Sequence, residues 1–175
     1  MVRGLKLSVL AAAATLAALS PAMAAAPDAA KGRSMEATAR AHLSRFVGHT
    51  LHGAEHSYTA ADTLLDDDGS QHVRFDRQYR GMKVIGGDLV VHSDRNGAFR
   101  HASKTMERQI NLPRGASLSA GRAIKLALGA HAGSTNGTAP ELVVYARGDV
   151  PVLAWDVRVF GERADGTPQE LHVMV

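Results

Sequence analysis

An α+β fold, built as two small helix-plus-antiparallel-sheet units behind an export signal, follows from three observations. Residues 34–47 and 119–130 carry apolar side chains at helical spacing, each behind a serine suited to capping. Each stretch is followed by short runs rich in strand-forming residues. Asp/Asn/Gly-rich turns and short connections separate most of these runs, which favours antiparallel meanders over parallel crossovers.

The first 24 residues read as a signal peptide. Arg3 and Lys6 precede an Ala/Leu run from Leu7 to Leu19 that is short for a bilayer span, and Ala22-Met23-Ala24 offers the small-x-small pattern for cleavage after Ala24. The exported chain is expected to be secreted or periplasmic, with no stable membrane anchor. Removing Arg3 and Lys6 lowers the formal charge from +3 by two, to +1. No Lys/Arg run remains, so nucleic acid is not an expected partner. The sequence has no cysteine, which excludes disulfides and any Cys-based zinc site, so core packing or a partner must hold the chain.

Residues 25–33 are Ala-rich without a pattern and read as a mobile leader. From Ser34, the residues Met35, Ala39, Leu43 and Phe46 or Val47 recur on one helical face, and Gly48 is the expected terminator. Ser57–Leu65 reads as a strand, and Asp66-Asp67-Asp68-Gly69 as an acidic turn. That turn lacks the remaining ligand spacing of a calcium loop. Val73, Phe75 and Arg77 alternate with Arg74, Asp76 and Gln78 in a second strand. Arg80-Gly81 reverses the chain into a third strand, Met82–His92, and Asp94–Gly97 turns it into Ala98–Lys104. Residues 34–104 thus make the first unit, and 105–117, with Asn111, Pro113 and Gly115, read as a linker. In the second unit, 118–175, a helix capped by Ser119 precedes a polar loop at 133–139. Glu141–Ala146, Val152–Phe160 and Glu170–Val175 then read as strands.

Two resemblances attach to these units. Tyr79-x-Gly81-x-x-Val84-x-Gly86-Gly87, within His72–Phe99, resembles the propeptide (FTP) module of fungalysin/thermolysin-type secreted zinc metallopeptidases. LSAGRAIKLALG, followed by PELVVYARGDVPVLAWDVRV with Leu153-Ala154-Trp155, resembles the PepSY module. In thermolysin-like precursors the two modules follow the signal peptide in this order, which implies a propeptide/PepSY, cystatin-like arrangement. In that family the pro-region helps the attached peptidase fold and keeps it inactive until it is cut away. The implied partner is a thermolysin-like zinc metallopeptidase, and Glu170–Val175 would lead towards the cleavage junction as an edge strand open to strand addition. The 175 residues contain no HExxH. The expectation is therefore a non-enzymatic propeptide-like protein without the catalytic domain. It would act in trans as a free-standing inhibitor or folding helper, or in cis if the chain is a truncated precursor. The alternative is a stand-alone exported PepSY-type binding module with an unrelated partner.

Individual residues read as structural first. Gly81 suits a turn position with positive φ, and Gly86-Gly87 inside a strand suits a bulge or bend, or else room for a partner's backbone. Val84 and Trp155 read as core residues, and Tyr79 as a motif residue of the fold. His52-Gly53-Ala54-Glu55-His56 matches the inverted zinc-peptidase signature H-x-x-E-H, in which two histidines on one helical face hold zinc and Glu is the general base. Gly53 interrupts such a helix, Gly48 lies just upstream, and Tyr58-Thr59 opens a strand-like run. A zinc hydrolase through His52, Glu55 and His56 is thus the third reading, and no metal or cofactor is expected.

Overall fold

The computed structural model of the protein describes residues 27–131, 133–136 and 139–175. The expected signal peptide lies outside them. The chain runs through α1 (Pro27–Arg45), α2 (Val47–Thr50), β1 (His56–Leu65), β2 (Gln71–Tyr79), β3 (Met82–Ile85), β4 (Leu89–Ser93) and β5 (Phe99–Lys104). It continues through α3 (Ala120–Ala130), β6 (Thr135–Asn136), β7 (Glu141–Tyr145), β8 (Val152–Glu162) and β9 (Pro168–Met174). Helices on antiparallel-rich sheet make the fold α+β.

α1 starts seven residues before Ser34, so residues 27–33 are helical rather than an unpatterned leader. Its buried face is the expected one: Met35, Ala39 and Leu43 pack on Val73, Phe75, Leu89 and Val91. The helix stops at Arg45, and the short α2 takes in Gly48 instead of ending there. Leu51, at φ +53, closes α2 in the left-handed region. The Thr50 hydroxyl donates to the Leu43 carbonyl at 2.7 Å and joins the two helices.

β2 is the spine of the first unit. β1 pairs antiparallel along its length on one side, from His56↔Tyr79 to Leu65↔Gln71. The expected third strand, Met82–His92, is two strands in line on the other side. β3 meets β2 at Gln78↔Lys83 and Tyr79↔Met82, and β4 meets it from Phe75↔Leu89 to Gln71↔Ser93. Between them Val84–Asp88 stand opposite only Asp76 and Arg77, so five residues bulge away where two would fit. The bulge carries β3 to β7, with Val84↔Val144 and Ile85↔Tyr145 in parallel register.

The second unit follows its expected plan, with one addition. The Ser119 side chain accepts from the Arg122 backbone N–H at the start of α3. β7 pairs with β8 and β8 with β9, all antiparallel, while β6, a two-residue strand in the expected polar loop, also pairs with β8. Ala123 and Ala127 of α3 pack on Val157 and Val159, their small size allowing the helix close to the sheet.

Residues 105–117 do more than connect. Met106 and Ile110 are buried with Tyr79, Val84, Val144 and Ala146, in a cluster that straddles the β3–β7 seam. The segment has too few apolar positions to show periodicity, yet two of them fill the joint between the sheets. Met106→Ala should cost about 2–5 kcal/mol, as for a buried methionine in a core. A surface linker would lose about 0.5 kcal/mol or less, and urea denaturation of the two proteins separates these outcomes.

Candidate functional site

The residues that give the chain its signature converge at the point where β3 leaves β2. Arg77 faces inward in the alternation Val73, Phe75, Arg77, Tyr79 and is 1% exposed. Among the described residues its guanidinium has no carboxylate partner. Nε donates to the Gly87 carbonyl at 3.0 Å, Nη1 to the Leu51 carbonyl at 3.0 Å and Nη2 to the Thr50 carbonyl at 2.6 Å. Its charged end also lies 5.3 Å from the centre of the Tyr58 ring. Burial pulls its pKa below the ordinary guanidinium value. One side chain thus ties the C-terminal end of α2 to the glycine bulge.

The glycines have separate tasks. Arg80 and Gly81 take φ +50 and +77, positive at both central residues of a two-residue hairpin loop, the pattern of a type I′ turn. Arg80 bears some strain in this region, and its side chain is tied down. Nε and Nη2 each donate to Glu55 at 2.6 Å, and Nη1 donates to the Leu112 carbonyl at 3.0 Å. Gly86 has φ +80, and a β-carbon on it would stand 2.7 Å from Cγ of Arg147, while one on Gly87 would overlap the Val84 side chain. The space left by the missing side chains is filled by the chain's own Val84 and Arg147. Ala146 N–H donates to the Ile85 carbonyl at 2.8 Å across the same seam.

The H-x-x-E-H residues do not form the helical site that their spacing requires. His52 lies in the loop after α2, Glu55 in the turn before β1, and His56 is the first residue of that strand. The Glu55 carboxylate accepts from Arg80 and from the Tyr79 hydroxyl at 3.0 Å, and Arg114 stands 3.6 Å away. The Arg80 hydrogen bonds hold its pKa at about 2, well below the carboxylate range, which leaves little basicity for taking a proton from water. The His52 ring stacks on Tyr58 at 5.6 Å between centroids. His56 Nδ1 accepts from Arg77 Nη1 at 3.4 Å, and burial followed by the Arg77 charge pushes its pKa to about 4. Of the three, His56 meets Arg77 directly, His52 lies against Tyr58 and Glu55 holds Arg80.

In the second unit Trp155 is half-buried beside the α3 cluster, and its indole N–H donates to the Leu118 carbonyl at 2.8 Å. Its backbone exchanges two hydrogen bonds with Val175, at 2.8 and 3.0 Å. Leu112, Pro113, Leu118, Leu142, Trp155 and Val175 line a mostly apolar hollow of about 290 Å³. β9 has a strand neighbour, β8, on one side only among the described residues, so it is a sheet edge. No helix among the described residues is long and apolar enough to cross a membrane.

Residues 57–106 match the Fungalysin/Thermolysin Propeptide Motif, covering β1 to β5 and reaching Met106 at the seam. The chain carries this propeptide motif. Over 129 residues it is also 38% identical to a transglutaminase-activating metalloprotease of Streptomyces mobaraensis, a match covering 70% of this chain and 17% of that protein. The chain therefore spans about one sixth of that relative's length. The propeptide motif is a non-catalytic module and links the chain to the thermolysin family of metallopeptidases. Tyr79, Gly81, Val84, Gly86 and Gly87 all lie within it, whereas Trp155 lies beyond its end. Arg77 and Arg80 belong to the same constellation, although the sequence pattern singled out neither as a site residue. The available signal was an arginine at an inward position of an apolar alternation.

Replacing Arg77 with Met should cost about 3 kcal/mol or more, because buried carbonyls at Thr50, Leu51 and Gly87 lose their donor. Chemical denaturation reads this directly, and a loss below about 1 kcal/mol would contradict the hub. His56 predicts a pH effect of defined sign. Its folded pKa of about 4 lies below the ordinary value of 6.5, so its stabilisation is complete above pH 6.5. As the pH falls from 6.5 towards 4, the unfolded chain binds the proton first and stability drops. His92, lowered in the same direction chiefly by burial, adds to this slope. Urea midpoints across that window should fall with acidification, and His56→Gln should flatten the fall without abolishing it.

Proposed function

We propose that the chain is an exported pro-region-like protein that acts by binding a thermolysin-like zinc metallopeptidase, inhibiting it, assisting its folding, or both. The observation that carries this reading is the propeptide motif over residues 57–106, supported by the 129-residue similarity to the Streptomyces metalloprotease. The chain would engage its partner in cis or in trans and would itself catalyse nothing. The second unit would be the PepSY-like module of the same pro-region.

The physical basis is a rigid surface rather than a reactive group. Folded-state contacts that are already in place reduce the ordering cost of association, which strengthens a non-covalent inhibitor. The open edge of β9 offers main-chain donors and acceptors for strand addition, and the hollow beside Trp155 lies near its C-terminal end. Binding there would block a peptidase cleft in the way an extended substrate does.

Mixing the purified chain with a thermolysin-like peptidase should lower peptide hydrolysis at micromolar concentrations and raise the yield of active peptidase on refolding. Absence of both effects across that range would sink the proposal. Capture of a partner lacking a zinc-peptidase motif, with no effect on such peptidases, would favour the stand-alone PepSY-type binding module instead.

A further inference from the structure

The outward face of the first unit carries a second constellation that the propeptide reading leaves unused. His72 of β2, His92 of β4 and His101 of β5 are direct cross-strand partners, so three imidazoles form one row across adjacent strands. His92 and His101 stack at 4.2 Å between centroids, while the Nδ1 atoms of His72 and His92 face each other at 2.6 Å. The outer nitrogens are also engaged. His72 Nε2 lies 2.9 Å from Asp66 Oδ2, and His92 Nε2 lies 2.9 Å from Ser103 Oγ.

The hydrogen-bond chemistry constrains where the protons sit. The Asp66 carboxylate only accepts, so His72 Nε2–H donates to it, and when the ring carries that proton alone Nδ1 presents a lone pair. His92 Nδ1–H then donates to that lone pair, and Ser103 O–H donates to His92 Nε2. His72 is thus held in one tautomer by a carboxylate, the arrangement that orients metal-ligating histidines.

We propose that His72 and His92 form a divalent transition-metal site of tetragonal type, best suited to Cu(II), in which both Nδ1 atoms ligate the ion. Two nitrogens at right angles, each about 2.0 Å from an ion, stand about 2.8 Å apart, whereas tetrahedral ligation needs about 3.3 Å. The 2.6 Å separation falls closer to the square-planar value, and both rings turn so that their lone pairs meet at the ion beside the Nδ1–Nδ1 line. On binding, the His92 proton moves from Nδ1 to Nε2. Ser103 Oγ then accepts that hydrogen bond instead of donating it, and no proton leaves the site. No group of three or more His, Asp or Glu side chains among the described residues converges on one point, so water completes the coordination. The bound ion clips β2 to β4 across the solvent face of the motif.

The test is titration of the untagged chain with Cu(II) alone, read by electron paramagnetic resonance and calorimetry. One tight ion per chain is expected, with coupling to two imidazole nitrogens, and the melting temperature should rise with occupancy. His72→Gln and His92→Gln should each weaken binding at least tenfold. Asp66→Asn, which leaves both ligands in place, should weaken it roughly 10–100-fold. Circular dichroism confirms that each variant is folded. Affinity and stoichiometry unchanged in the His72→Gln/His92→Gln double variant would place the ion on other histidines and overturn the proposal. Absence of any tight Cu(II) site would overturn it as well.

Discussion

A guanidinium buried without a counter-charge is the constraint around which the first unit is arranged. Burying such a group is costly unless strong acceptors receive its N–H donors. For Arg77 the acceptors are backbone carbonyls of Thr50, Leu51 and Gly87. The two ends of this arrangement depend on each other. α2 must finish at Thr50 with Leu51 in the left-handed region, because only then do two successive carbonyls turn towards Arg77. Gly87 must leave the β2 ladder, because a paired strand carbonyl would already be spent on its neighbour. Burial and the same charge disfavour protonation of His56, and the guanidinium lies over Tyr58, so Arg77 shapes the loop that carries the zinc-like signature.

The bulge that serves Arg77 also joins the sheets. Once Val84–Asp88 swing away from β2, the edge of β3 is free to pair in parallel with β7, a join made with few backbone hydrogen bonds. Side chains supply the rest: Tyr79 and Val84 from one unit, Val144 and Ala146 from the other, and Met106 and Ile110 between them. Glycine is needed at 86 because the segment after β7 comes close there, and at 87 because the bulge folds back onto the side chain of Val84. This is a requirement of the fold, and Tyr79, Val84 and Gly87 of the motif are buried while Gly81 is exposed in its turn.

What could be read beforehand follows the range of the physics involved. Alternation in Val73, Phe75 and Arg77, the apolar face of Met35, Ala39 and Leu43, and the Ser119 cap are local signals, and each element they mark is present. The break in Met82–His92 was legible only as an oddity of Gly86-Gly87, because its cause, a parallel partner some 60 residues on, leaves no local trace. Met106 and Ile110 looked like linker residues since their burial depends on two sheets meeting. Residues 27–33 lack an apolar face but extend a helix whose later turns are anchored. The H-x-x-E-H match is one of spacing alone, and the Gly53 and strand-like run that argued against a helix there lie in the loop after α2 and in β1.

The side chains around Arg77 serve the fold. The titratable groups nearest the hub are either committed or silenced: Glu55 is held by Arg80 and Tyr79, His56 by burial and Arg77. A general base needs the opposite, a group poised between states near neutral pH. The unspent capacity lies at the periphery, in the open edge of β9 and in the imidazole row on the outer face of β2, β4 and β5. Because the hub ties β2 to the end of α2 and to the Gly87 bulge that leads into β4, the imidazole row on β2 and β4 rests on strands already held in place. Such placement lowers the ordering cost of any association there.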